Sequence, residues 1–282
     1  MTMHTSTILQ EALSYFFDND KLELSIVLFA IAVERLMKQH LFETDDVLIL
    51  DKNNSVEHLV RFRRIQSKVT KTTYKQKIEA LKEKRENFKT ITFDELIKRY
   101  DAFFDLQDWR IKALRRLGNL RNNVVHFHDY YINTIDESLF ILTEVIPFIR
   151  EIISEVKDSN RFDEIFTEEV IERLQGREAE LTALQEDELN QKIESKKEEY
   201  NEMNPDEVES KKQDRIRDIY EDREIIKEDL NCPACANNTF HILKLFDEES
   251  EEPEFFYKGI CLVCELELNE DELRNINLLD NT

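Results

Sequence analysis

Apolar residues recur at helical spacing through most of the chain. Residues 6 to 18 and 21 to 42 read as two helices. In the second, Leu22, Leu24, Ile26, Val27, Phe29, Ala30, Val33, Leu36, Met37 and Leu41 make a broad apolar face that must be buried. Polar interruptions at Glu43 to Asp46 and Asn53 to Ser55 precede a basic helical segment ending near Lys89. Thr92 or Asp94 can cap a helix running through Phe103. Asp108 can start the next, where Trp109, Ile111, Leu114, Leu117, Leu120, Val124 and Val125 keep helical spacing. After Tyr130 and Tyr131, Asp136 opens the apolar run LFILTEVIPFIREIISEV, in which Pro147 predicts a kink or a boundary. The pattern predicts a helical bundle over about residues 5 to 157.

The pattern changes at Asp163. From there to Glu202 a long, highly charged helix carries only scattered apolar positions: Phe166, Val170, Leu174, Leu181, Leu184, Leu189 and Ile193. Asn204 and Pro205 signal the start of another helix, with Val208, Ile216, Ile219, Tyr220 and Ile226 as a narrow stripe. A helical hairpin or loose coiled-coil arm fits this pattern, and so does a charged linker helix. In the last fifty residues TFHILKLF and EFFYKGI run at strand length on either side of the acidic turn DEESEEPE, which predicts a small β unit. The expected fold class is mostly α. The expected division is a helical domain over 1 to 160, an acidic arm or linker over 161 to 229, and a β unit over 230 to 282.

Composition supports the helical reading: 3 Gly and 4 Pro stand against 61 acidic and 39 basic residues, so turns are few and charged surface is abundant. The opening MTMHTSTILQEALSYFF has neither a basic n-region nor a small-residue cleavage site. The longest apolar run, Ile26 to Val33, is far short of a bilayer span. A cytoplasmic protein without membrane contact is expected.

A net charge of −22 argues against a general nucleic-acid binder, because phosphate contacts need Lys and Arg. The charge is uneven, however: residues 1 to 150 are net +1 and residues 151 to 282 net −23. Residues 61 to 89 hold eleven Lys or Arg and three Glu, and a second cluster comprises Arg110, Lys112, Arg115, Arg116 and Arg121. Both are candidate phosphate contacts, the alternative being solvated helix faces.

The four cysteines form two C-x-x-C pairs, Cys232 with Cys235 and Cys261 with Cys264, separated by twenty-five residues. Two such knuckles on a hairpin supply four thiolates in a tetrahedron, as structural Zn²⁺ demands. CPAC, CLVC and the intervening hairpin make residues 229 to 270 resemble a zinc ribbon. Ala236 and Asn237 stand where Gly is frequent, and Asn237 is expected to take the left-handed turn. A closed four-sulfur site has no open coordination position, so the expected metal is structural and no cofactor is expected for catalysis. Asp247, Glu248, Glu249, Glu251, Glu252, Glu265, Glu267 and Glu270 surround it and favour protein contact over nucleic-acid contact.

The second cluster of basic residues runs into Arg121-Asn122-Asn123-Val124-Val125-His126. This R-N-x-x-x-H sequence on a late helix of a bundle resembles the signature of HEPN-domain ribonucleases, over about residues 5 to 157. The resemblance implies a metal-independent RNA endonuclease of toxin or anti-phage type. Arg121, Asn122 and His126 would be its site residues, with Arg110, Lys112, Arg115 and Arg116 along the RNA. It also implies a composite site at a homodimer interface. Some members are paired with an antitoxin that modifies a tyrosine just beyond the histidine, for which Tyr130 is the candidate here.

Asn122 and His126 are four apart on one helix face, where the amide can orient the imidazole, while Arg121 lies about 140° away from His126. His128, seven residues from Arg121 and offset by about 20°, is the alternative histidine. A non-catalytic dimerisation, nucleotide-binding or RNA-binding module is the alternative function.

Overall fold

Described in the computed structural model are residues 4–49, 90–126, 132–156, 162–213, 224–247 and 254–279. They divide between two units, 1–181 and 182–282. The basic stretch 61 to 89, His128 and Tyr130 lie outside the described residues.

In the first unit α1 (Thr5–Phe16) and α2 (Leu22–Thr44) are joined through a 3-10 turn, Asn19–Lys21. Ile26, Phe29, Ala30, Val33, Leu36, Met37 and Leu41 are all buried. They cover more than one stripe because α2 packs against α1 and against three later helices, Phe93–Phe104, Asp108–His126 and Ile146–Glu155. The buried Ser25 hydroxyl is satisfied by donating to Ala12 O at 2.9 Å.

Thr92 Oγ1 accepts from Glu95 N at 3.3 Å and so caps α3 (Phe93–Phe104), which closes at Asp105 in a left-handed conformation. Next comes α4 (Asp108–His126), burying Leu114, Leu117, Gly118 and Leu120. A Cβ on Gly118 would lie 3.0 Å from the Phe93 ring, so α3 and α4 approach closely there.

Asn133, rather than Asp136, caps α5 (Thr134–Phe140): its Oδ1 accepts from the N–H groups of Ile135 and Asp136. A π turn, Ile141–Val145, leads into α6 (Ile146–Glu155). This is how the helix absorbs Pro147. A regular α-helix would set the ring against the carbonyl of Thr143 and leave that carbonyl without its donor, and the wider turn just before the proline relieves both. Pro147 thus stands in the first turn of α6, at the boundary that the sequence allowed, with the π turn before it.

The long charged helix is α7 (Glu168–Glu202), and its allegiance is divided. Its Leu174 and Leu181, with Phe162 and Ile165 just before it, complete the core of the first unit, whereas Leu189 lies in the core of the second and Ile193 and Tyr200 pack against that core. The expected separate arm over 161 to 229 is thus shared between the two units. Val208, on α8 (Pro205–Gln213), also packs into the second core.

Ile226 lies in a strand, not on the helical stripe that the sequence suggested. Strand β1 (Glu224–Leu230) precedes β2 (Phe240–Asp247), β3 (Glu254–Cys261) and the two-residue β4 (Glu267–Leu268) in an antiparallel sheet of order β1-β2-β3-β4. On the inner face Phe240 stands opposite Cys261 and Ile242 opposite Gly259. A Cβ on Gly259 would lie 2.4 Å from Phe240 Cζ and 2.7 Å from Leu273 Cδ2, so only glycine fits. The last helix, α9 (Glu270–Asn275), starts with a reciprocal box in which Asn269 Oδ1 accepts from Glu272 N and Glu272 Oε2 accepts from Asn269 N. Among the described residues no helix is long and apolar enough to cross a membrane.

Candidate functional site

The four cysteines converge as their spacing requires. Each C-x-x-C forms a tight loop closed by the same two backbone bonds. In the first, Ala236 N donates to Cys232 O (3.0 Å) and Cys232 N to Asn237 O (2.9 Å). In the second, Glu265 N donates to Cys261 O (3.1 Å) and Cys261 N to Leu266 O (2.9 Å). The residue after each second cysteine is left-handed: Ala236 and Glu265, both at φ 57°. The turn expected at Asn237 therefore falls one residue earlier. Asn237 instead donates its amide to Cys235 O at 3.4 Å.

All four Sγ atoms are buried and lie within 4.8 Å of one another. Cys232 and Cys264 Sγ are 3.5 Å apart, and Cys235 and Cys261 Sγ 3.7 Å, too far for a disulfide. A tetrahedron with metal–sulfur bonds of about 2.3 Å has edges of about 3.8 Å, so the cluster has the dimensions of a four-thiolate metal site. Donation from Cys232 and Cys264 holds the Cys261 thiol far below its ordinary range, with Thr239 adding to the effect. Cys232, which donates to Cys261, is pushed up to about 12, and Cys264 is raised first by its hydrogen bond with Cys232 and then by that with Cys261. A bound cation would replace those shared protons. Glu265, on the rim, pairs with Lys211 at 2.6 Å.

The second candidate site lies on α4. Lys112, Arg115, Asn119, Asn122 and His126 recur at spacings of three and four and so share one face; all but the half-buried Arg115 are exposed. Lys112 and Arg115 therefore line up with Asn122 and His126. Arg110 and Arg116, expected in the same role, are committed elsewhere. Arg110 pairs with Glu151 and lies over the Trp109 and Phe148 rings, and Arg116 pairs with Glu137 at 3.1 Å over the Phe140 ring.

Arg121 is half-buried and held on three sides. Its Nε and Nη2 donate to Asn122 Oδ1 at 3.3 and 3.0 Å, its Nη1 donates to Glu34 Oε2 at 3.3 Å, and its guanidinium stacks over Phe93 at 5.7 Å. Asn122 was expected to orient His126, but its carbonyl oxygen serves Arg121. His126 stands exposed at the last described residue of the helix.

Glu34, Phe93 and Asn119 were not singled out from the sequence. Lys38 was also missed: buried on α2, it donates to Glu34 Oε1 at 2.7 Å. Its signal was a lysine set among Leu36, Met37 and Leu41, four residues after a glutamate. No family model, curated protein or solved structure matches the chain.

Proposed function

We propose that the protein is a metal-independent RNA endonuclease of the HEPN type, used as a toxin or anti-phage effector, whose active site forms when two copies bring their α4 faces together. The observation that carries this reading is the exposed face of α4. It aligns His126 and Asn122 with the cations Lys112 and Arg115, beside a guanidinium fixed by Glu34 and Asn122.

RNA holds its own nucleophile, the 2′-hydroxyl. His126 would take its proton as the oxygen attacks the adjacent phosphorus, and Arg121 would stabilise the charge of the phosphorane. The 5′-oxygen leaves with a proton from the second histidine of the pair. The products are a 2′,3′-cyclic phosphate and a free 5′-hydroxyl. One chain supplies one such histidine and one such arginine; two chains supply the acid and the base that the reaction needs.

In the C-terminal unit the four cysteines would bind Zn²⁺, a structural ion that contributes folding free energy and no catalytic step. A regulatory protein is a further expected partner, since the acidic C-terminal half is better suited to protein than to RNA.

The test incubates the full-length protein with total RNA and tRNA in EDTA, alongside Arg121→Ala and His126→Ala, and records native mass spectra. Cleavage lost in both variants, with a dimer as the active species, is the expected result. Cleavage lost in neither variant would overturn the assigned site. No cleavage by the wild type would favour a second reading, a non-catalytic RNA-binding or dimerisation module.

A further inference from the structure

Three charged groups on two helices form an alternating chain, Lys38, Glu34 and Arg121. Glu34 bridges the other two with separate oxygens: Oε1 accepts from Lys38 Nζ at 2.7 Å and Oε2 from Arg121 Nη1 at 3.3 Å. Lys38 is 7% exposed and also reaches Thr90 Oγ1 at 3.4 Å. Burying an ammonium in a helical bundle is costly unless it is paired, and Glu34 supplies that pairing.

A guanidinium offers five N–H donors. Among the described residues Asn122 takes the Nε edge and Glu34 takes Nη1, which leaves one N–H on each terminal nitrogen to offer to the oxygens of a phosphate. An arginine paired with a single carboxylate is electrically neutral and attracts phosphate weakly. With Lys38 on the far oxygen of that carboxylate, the chain of three carries a net positive charge at its Arg121 end.

On these grounds, and resting on the functional reading above, we infer that Glu34 and Lys38 are positioning residues for the phosphate clamp. Glu34 fixes the direction of the Arg121 fork, and Lys38 cancels the charge of Glu34 so that Arg121 keeps its pull on RNA.

The two roles separate kinetically. Glu34→Gln keeps the shape but loosens the fork, and should lower kcat by ten- to a hundredfold; Glu34→Asp should recover part of it. Lys38→Met leaves Glu34 free to neutralise Arg121, and should raise KM about tenfold while flattening its dependence on salt. The double variant, Glu34→Gln with Lys38→Met, removes both charges at similar volume. It should bring KM back towards the wild-type value while kcat stays low. A purely structural pair gives no such recovery, and the double variant also serves if either single variant fails to fold.

The Nε–H NMR signal of Arg121, assigned by its loss in Arg121→Lys, should shift or broaden in Glu34→Gln. If Arg121→Ala and His126→Ala abolish cleavage while kcat and KM of the Glu34 and Lys38 variants stay within twofold of wild type, the inference is overturned and the functional reading stands. If the wild type does not cleave RNA, the functional reading falls. The positioning role is then decided by NMR, where an unchanged Arg121 signal in Glu34→Gln overturns it.

Discussion

Ala236 occupies a backbone conformation that side chains disfavour, and its methyl group gives nothing in return that a hydrogen would not. Replacing it with glycine removes roughly 1–2 kcal/mol of left-handed strain, against a smaller loss from the freer unfolded chain. Ala236→Gly should therefore stabilise the metal-loaded C-terminal unit by about 1 kcal/mol, read from its urea midpoint.

His40 is a different case. Its Nδ1 lies 2.7 Å from Tyr100 Oη, and burial pulls the imidazole below the ordinary 6.5 despite the pull of Glu155 and Glu43 towards the protonated form. The folded-state value lies below the unfolded one, so the unfolded chain takes up the proton first as pH falls. The stability contributed by His40 is whole above about pH 6.5 and shrinks below it until the folded-state value is passed. Thermal unfolding of the helical unit at pH 7.5 and 5.5 should show this loss. His40→Asn, whose amide oxygen can replace Nδ1 towards Tyr100, should show less of it.

Among the elements, the sequence was readable where the contacts are local. The helices of the first unit follow from apolar periodicity and from Thr92 as a cap, and the cysteine cluster follows from spacing, because each knuckle is closed by bonds that span at most five residues. Strand β1 was not readable. Of its three apolar residues Ile225 and Ile226 are adjacent and Leu230 stands apart, its pairing with β2 shifts register twice, and its charged positions suit a helix equally well. The link between Glu34 and Arg121 spans 87 positions, and only the packing of α2 against α4 brings them together.

In the sheet, one strand position is fixed by its neighbours and not by its own preference. Gly259→Ala would drive a methyl group into Phe240 and Leu273, and should destabilise the C-terminal unit by about 1–3 kcal/mol, measured by urea unfolding. Trimming the opposing ring with Phe240→Leu in the same chain should return part of that loss.

For the whole molecule, two cores and one metal site imply two unfolding transitions. If the four cysteines hold a metal, a strong chelator should lower the transition of the C-terminal unit and leave the helical unit in place, seen as one moving and one stationary peak in calorimetry. The boundary expected near residue 160 was placed where surface charge rises, but the chain changes allegiance within a continuous helix, between Leu181 and Leu189. That division bears on portability. The four-cysteine sheet is not a cassette that can be lifted out at its first strand and fused elsewhere: Leu189 lies in its core, Ile193, Tyr200 and Val208 pack against that core, and Lys192 anchors Glu272 at 2.7 Å. A fragment of residues 182 to 282 should fold on adding zinc, whereas residues 230 to 282 should bind the ion yet stay poorly dispersed by NMR. Any shuffling that moves this sheet to a new protein must therefore carry half of a helix with it.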